Sequence, residues 1–356
     1  MGCGKVKSSI PEKLRNYYSY MNSIAIMPDF FVDRIIKLKS KEHLCNALTD
    51  KGKFGGGSVR DVPSVDIIGG NAVNIAYCIA KLGGKVTLFT VADEIGSIML
   101  RQTFSKFGDN TSLIIANGRQ GRTTAFEFLN EKGSKVNVMV SDVGDNIDFG
   151  PDRINSEDQI KILKNADAAI VVNWASNLKG TQLAEHVFKN SAKALHFIDP
   201  ADIQARKQEF RDSLSKIADI TDVLSINENE CNSLGEAFGL DSCLISENGY
   251  GVDSIKEAAM KLAQKTGISI DLHTRKGAAW SNGKETVFVN AIKVEVNRLT
   301  GAGDSWDAAD IIGYLAGMDT KERLTFSNAC VSLYLRNPYG EPPTMTQAFE
   351  LLERTC

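Results

Sequence analysis

The chain has 356 residues, 43% of them apolar and 24% charged, with a formal net charge of −3. That is enough apolar sequence for a sizeable core in one large α/β domain or two smaller ones. No strongly basic segment suggests nucleic acid, and no apolar run nears the roughly 18 residues that a membrane span needs. The seven cysteines are scattered, without a Cys-x-x-Cys pair. Reduced thiols in a cytoplasmic protein are therefore expected, with no disulfide framework and no zinc site.

Residues 1–22 read as an N-terminal extension. Their start, MGCGKVKSS, contains Gly-Cys-Gly-Lys, but no strand precedes it to make a phosphate loop. Val6 stands where N-myristoylation wants Ser or Thr, so this stretch is expected as a solvated tail. From 23 to 356 apolar runs alternate with amphipathic stretches. Strands are expected over 23–27, 85–91, 167–173, 194–199, 222–226 and 268–274. Helices are expected over 72–82 (stopped by Gly83 and Gly84), 95–107, 180–190 and 254–265. That alternation predicts a mostly parallel sheet with helices on both faces. Two regions break the rhythm. Residues 37–64 have few apolar positions and contain Gly55-Gly56-Gly57, and 113–140 alternate like paired antiparallel strands. Together, as segments of about 34–66 and 111–141, they predict a small β-sheet lid beside the main domain.

Three stretches carry candidate chemistry. In LTGAGDSWDAAD, Gly301, Ala302 and Gly303 precede Asp304 at the start of a helical pattern. The first amides of a helix lack internal partners and sit at its positive end, so a Gly-rich helix start suits a phosphate. A carboxylate there can take a proton from an attacking hydroxyl while the amides stabilise charge on a transferring phosphoryl group. Upstream, Gly69 and Gly70 open a helix carrying Asn74. The pair lets a small polar ligand approach the backbone, and Asn74 can bond its hydroxyls. The dinucleotide fingerprint Gly-x-Gly-x-x-Gly is absent, which argues against a nicotinamide oxidoreductase. In Asn227-Glu228-Asn229-Glu230, placed after a strand, Asn227 and Glu230 share a helix face. A carboxylate near phosphates makes sense when it holds Mg²⁺ through water. Asp29 and Asp33 follow the first strand.

Taken in order, these motifs resemble the ribokinase-like (PfkB) carbohydrate kinase family over nearly the whole chain. Asp33 matches the family's sugar-binding Asp, Gly69-Gly70-x-x-x-Asn74 its N-terminal signature, and Asn227-x-x-Glu230 its Mg²⁺ and phosphate motif. Gly301-Ala302-Gly303-Asp304 matches its anion hole and catalytic base, with Ser327-Asn328-Ala329 and Asn337-Pro338-Tyr339-Gly340 similar to the helix and loop that flank adenine. The resemblance implies a ribokinase-like fold and an ATP-dependent kinase acting on a hydroxyl of a sugar or sugar derivative, with Mg²⁺. Thr274, Lys276 and Gly277, with Asn227 and Asn328, would line the nucleotide.

The departures bear on ligands. The family usually has Asp before Thr-Thr-Gly-Ala-Gly-Asp and holds a monovalent cation with it. This chain reads Arg298-Leu299-Thr300, and an arginine cannot ligate a cation, although its charge can replace one. Phe31 stands where ribose-binding members have a polar contact, which argues against ribose. In the lid, Arg122, Phe126 and Phe128 share parity and so share a face. Arg122 suits an acidic or phosphorylated sugar, and the phenylalanines suit a nucleobase, so a nucleoside kinase of the same family remains an alternative. The phenylalanines equally suit lid-to-lid packing in a homodimer, which family members often form. A non-catalytic sugar-binding protein on this fold is the third alternative, and the retained Asp304 motif argues against it.

Overall fold

The computed structural model describes residues 3–20, 22–130, 133, 135–240 and 251–354. Its strands are β1 Ser23–Met27, β2 Phe31–Lys37, β3 Ser64–Gly69, β4 Lys85–Ala92, β5 Thr111–Asn117, β6 Gly121–Leu129, β7 Lys135–Asp142, β8 Ala168–Val172, β9 Leu195–Asp199, β10 Val223–Asn227, β11 Ser269–Thr274, β12 Gly277–Ser281 and β13 Thr286–Asn290. Its helices are α1 Cys3–Tyr20, α2 Lys41–Lys53, α3 Asn71–Lys81, α4 Glu94–Phe104, α5 Glu157–Lys164, α6 Gly180–Asn190, α7 Lys207–Ile217, α8 Glu228–Ala237, α9 Val252–Thr266, α10 Ala302–Leu315, α11 Thr320–Arg336 and α12 Met345–Arg354. Among the described residues, a 9-stranded sheet runs β13-β12-β11-β10-β9-β8-β1-β4-β5, and a 4-stranded sheet runs β3-β2-β6-β7. The large sheet is parallel from β5 through β11 and closes with the antiparallel hairpin β12–β13.

The alternation of side chains along each strand sends one set of apolar residues to each face. Ala25, Met27, Ala169 and Val171 face the core made with α5 to α9. Ile24, Ile26, Ala168 and Ile170 face the core made with α3, α4 and α10. Both faces of the central strands are covered, which is why they read as continuous apolar runs. The expected architecture, a mostly parallel sheet between helical layers with a small separate sheet, is the one observed.

Several expectations are corrected in detail. From Cys3 on, the N-terminal extension is not a solvated tail. It is the helix α1, which buries Ile10, Leu14 and Tyr17 against α10, α11 and α12. Residues 111–117, expected in the lid, form β5 and pair in parallel with β4 at the edge of the large sheet. The lid sheet instead takes β2 and β3, with β6 and β7 as its antiparallel pair. The segment 37–64 holds a mostly exposed helix, α2, whose lack of an apolar stripe left no periodic signal. The helix expected to 107 ends at Phe104 and tightens into a 3₁₀ turn over Ser105–Asn110, where Gly108 takes φ +56°.

Candidate active site

Parallel strands bring their carboxyl ends to one edge, where ligands of such sheets bind. Here that edge carries Asp29 beyond β1, Asn173 beyond β8, Asp199 at the end of β9, Asn227 at the end of β10 and Thr274 at the end of β11. The N-terminus of α10 is set against it.

Gly301 caps α10 with φ +86°, and a Cβ there would overlap the Tyr334 hydroxyl, which itself donates to the Thr300 carbonyl (2.6 Å). Only glycine serves both demands. The turn uses the Ala302 amide, which donates to the Leu299 carbonyl (3.1 Å). Ala302 is therefore not a free donor in this state. The amides of Gly303 and Asp304 follow in the first turn, where a helix provides no acceptor. A Cβ on Gly303 would meet His273 Cε1 at an ordinary 3.4 Å, so no protein atom demands glycine there.

Asp304 is buried, at 7% exposure. Asn71 Nδ2 donates to its Oδ1 (2.9 Å) and Asn74 Nδ2 to its Oδ2 (2.8 Å). Burial and the charge of Asp199 push its carboxyl up to about 8, against the opposing pull of the two amides. Asn74, expected on substrate hydroxyls, thus holds the candidate base. Asn71 does the same and was not singled out in the sequence.

The glycine pair has a local cause. The carboxylate of Asp29, fully buried, accepts from the Asn71 amide (2.8 Å), the Ala72 amide (2.9 Å) and Asn173 Nδ2 (2.9 Å). It thereby caps α3 from another element. Gly70, with φ +99°, lets the Asp29 carbonyl pass, and a Cβ on Gly69 would overlap the Asp33 carboxylate. Asp33 lies inside β2, in register with Thr123 of β6. Burial raises its carboxyl above the usual range, a bond from Thr123 and the charge of Arg298 pull it back, and Asp29 adds to the rise.

Arg122 is displaced from this site by the pleat. It pairs with Val32, one position before the Asp33–Thr123 pair, and so points to the other face of the lid sheet. Its guanidinium bonds Asp93 (3.2 Å) and is 64% exposed. Phe126 and Phe128 share that face, opposite Asp33 and Thr123.

On the far side of α10, Asn227 and Glu230 form a reciprocal cap of α8. Asn227 Oδ1 accepts from the Glu230 amide (3.1 Å), and Glu230 accepts from the Asn227 amide (2.8 Å) and Nδ2 (2.7 Å). Burial and the charge of Asp199 raise the Glu230 carboxyl well above its usual range. Asp199 is itself pushed up to about 6 by burial. Asp307 accepts from Ser225 (2.6 Å) through Oδ1 and lies against the Asp199 carboxyl. Sequence reasoning missed Asp199, although its place at a strand's carboxyl end is the same signal that marked Asn227. Among the described residues no cationic side chain pairs with these hard oxygen donors, and no carboxylate cluster there is close enough to grip a metal directly, so they suit a Mg²⁺ ion reached through water. The candidate nucleotide residues are partly spoken for. Thr274 donates to the Gly277 carbonyl (2.8 Å), Gly277 sits against Val289 of β13, and Asn328 bonds Val289, Asn290 and Trp306. They shape the wall, and Lys276 is exposed at the hairpin between β11 and β12. Burial lowers His273 to about 4, so it is neutral beside Trp306.

The model of the pfkB family carbohydrate kinases matches residues 49–346. A 5-dehydro-2-deoxygluconokinase of Bacillus velezensis is 24% identical over 294 residues, covering 80% of this chain and 84% of its own. A ribokinase of Arabidopsis thaliana, solved with ribose and ATP, superposes with TM-score 0.70 at 20% identity, covering 93% of this chain and 98% of its own. An adenosine kinase of Sinorhizobium meliloti does so with TM-score 0.68 at 17% identity, covering 94% and 99%. The fold is therefore ribokinase-like. With the family model spanning most of its length, the chain belongs to the pfkB family of carbohydrate kinases, phosphotransferases that act on sugar hydroxyls.

Proposed function

We propose that this chain transfers the γ-phosphoryl group of ATP to a hydroxyl of a sugar or sugar derivative, with Asp304 as general base. The observation that carries this reading is a buried carboxylate in the first turn of α10, gripped by Asn71 and Asn74 and flanked by free first-turn amides. The acceptor lies between Asp33, the Gly69-Gly70 backbone and Asp304. Asp304 takes the proton as the acceptor oxygen bonds to the γ-phosphorus. The bond from that phosphorus to the β–γ bridging oxygen breaks, and ADP leaves with the electron pair. The Gly303 and Asp304 amides stabilise charge on the transferring group. Glu230 and Asp199 would hold Mg²⁺ through water, and the ion supplies charge neutralisation at the nucleotide phosphates. Lys276, Asn227 and Asn328 border the nucleotide. Phe126 and Phe128, on the face opposite Asp33, lend a nucleoside acceptor no support.

The test is ATP consumption by the purified protein with Mg²⁺ across neutral sugars, sugar acids, sugar phosphates and nucleosides. Asp304→Asn is expected to remain folded and to lose about 10²- to 10⁴-fold in turnover, the usual worth of a general base. Near-normal turnover by that variant refutes the assignment.

A further inference from the structure

One ring beside the anion hole has polar atoms that the protein does not use. His273 stands near the end of β11, in register with Asn227 of β10 on one side and Ala278 of β12 on the other. Its imidazole lies against Gly303, with Cε1 3.4 Å and Nε2 3.9 Å from where a Cβ on that glycine would stand. Neither ring nitrogen has a hydrogen-bond partner among the described residues, and neither is sealed from solvent. The ring packs on Trp306, with centroids 5.2 Å apart, and the indole N–H of that residue donates to Asn328 instead (3.0 Å). A phenylalanine would serve that packing equally well, so packing alone gives no reason for an imidazole.

Its seat is rigid. Alternate residues of β11 face opposite ways. Ile270 and Leu272 enter the core on the side of α5 to α9, so Asp271 and His273 share the face turned to α10. Asp271 accepts there from Tyr314 (2.8 Å) and from Arg323 (3.0 and 3.1 Å), and Arg323 also bridges to Asp310. Two residues on, His273 meets the first turn of the same helix. Strand and helix are thus pinned together just behind the ring, and the imidazole stands at Gly303 before any ligand arrives. Burial lowers it to about 4, so it is neutral there, with one nitrogen protonated and able to donate.

The direction of approach identifies the partner atom. β11 stands four places from β1 in the large sheet, about 19 Å at the usual strand spacing. β1 leads to Asp29 and, through α3, to the Asn71 and Asn74 that hold Asp304. The residues around the base therefore reach α10 from one flank and His273 from the other, with the Gly303 and Asp304 amides between them. Those amides attract an anion to the positive end of the helix. In the reaction proposed above that anion is the γ-phosphoryl group of ATP.

We infer that His273 donates its imidazole Nε2–H to an oxygen of the γ-phosphoryl group of ATP and so completes the anion hole from the β11 side. This rests on the kinase reading above and adds to it a side chain that touches the transferring group. The contact is made to ATP alone, so it acts on nucleotide binding and turnover and not on which sugar is taken.

The test is histidine-selective NMR, nucleotide titration and melting of the full chain with Mg²⁺ and either ADP or the β,γ-imido analogue of ATP, for wild type, His273→Phe and His273→Gln. The four histidines give four imidazole Cε1–H signals, and the one missing from His273→Gln is that of His273. This signal is expected to move with the imido analogue and to stay in place with ADP, which lacks the γ group. His273→Phe keeps a ring on Trp306 and is expected to melt with wild type while binding the analogue about 10- to 100-fold more weakly, the worth of one hydrogen bond to a charged group. Its affinity for ADP is expected to be unchanged, and His273→Gln, which keeps a donor, is expected to recover part of the loss. An unmoved signal in protein that the analogue stabilises against melting overturns the inference and leaves the kinase reading standing. Equal movement with ADP places the ring at another phosphate and overturns it as well, as does wild-type affinity for the analogue in His273→Phe, which reduces the residue to packing. No melting shift with either nucleotide overturns the kinase reading and the inference together.

Discussion

Replacing Gly303 by alanine separates what the fold needs from what the chemistry needs. Gly303 is the second residue of α10 and does not take a positive φ. The added Cβ would meet only the His273 ring, at 3.4 Å and 3.9 Å, both ordinary contacts. Alanine is the better helix former by up to about 1 kcal/mol, so the variant should be as stable as the parent or slightly more so. The same methyl group would stand where a phosphoryl oxygen must approach the Gly303 and Asp304 amides. Disturbing one such donor costs about 10²- to 10³-fold in kcat. The assay is paired: urea unfolding for stability and coupled ADP formation for turnover. Equal stability with a hundredfold loss supports the anion hole. Turnover within about threefold of wild type, far short of that loss, would mean that phosphate is bound elsewhere and would refute the reasoning. Gly301→Ala is the contrast, because φ +86° and the Tyr334 hydroxyl make it destabilising as well as inactivating.

The raised carboxyl of Asp304 predicts that kcat/KM climbs with pH up to about 8, since the base must be ionised. Because its folded-state value lies above the unfolded 3.8, the native protein holds a proton that the unfolded chain releases. Its contribution to stability therefore falls as pH rises from about 4 to about 8, and unfolding measured across that range should lose this component in Asp304→Asn. Asn74→Ala should move the kcat/KM profile to higher pH, because it removes a bond that lowers the Asp304 value, whereas a direct substrate contact would raise KM and leave the profile in place. Arg323→Met should cost about 3–5 kcal/mol in urea unfolding, because it leaves Asp271 and Asp310 buried without the cation that bridges them. A loss below about 1 kcal/mol, the level of an exposed pair, would refute the claim that the cation is needed there. Asp29→Ala should cost about 0.5–2 kcal/mol as a lost helix cap, and its effect on kcat should be non-additive with that of Asn74→Ala, since both act through α3.

The central strands were legible because both of their faces are buried, and a run such as DAAIVVN then has one reading. The edge strand β5 was not, because only partial cover on each side leaves TSLIIAN alternating like a lid strand. Asp304 and the Asn227–Glu230 pair were legible because spacing within one helix turn fixes their geometry. What spacing cannot give is a partner 230 residues away, so Asn74 was read against a ligand instead of against Asp304. Arg122 failed for a subtler reason. Parity along one strand says which residues share a face, but only the register with β2 says which face carries Asp33. Arg298 stands out in the sequence as a departure from the family pattern, and its seat on Gly340 shows only in the fold.

The supports of Asp304 follow one line through the structure. Asp29, just beyond β1, fixes the first amides of α3, and α3 in turn aims Asn71 and Asn74 at the first turn of α10. The sheet edge thus positions the base through one helix, with the Asp29 side chain in the loop after β1 as the link. A carboxyl raised to about 8 by burial would rise further if either donor were lost. Two amides on one rigid helix face hold both oxygens and offset part of the burial cost at once. The glycine pair is what lets this happen, since a side chain at Gly70 would push Asp29 off the helix end and one at Gly69 would push Asp33 out of the cleft. Positions that looked like a ligand cradle in the sequence therefore serve first to bring the carboxylates of Asp29 and Asp33 within reach of α3.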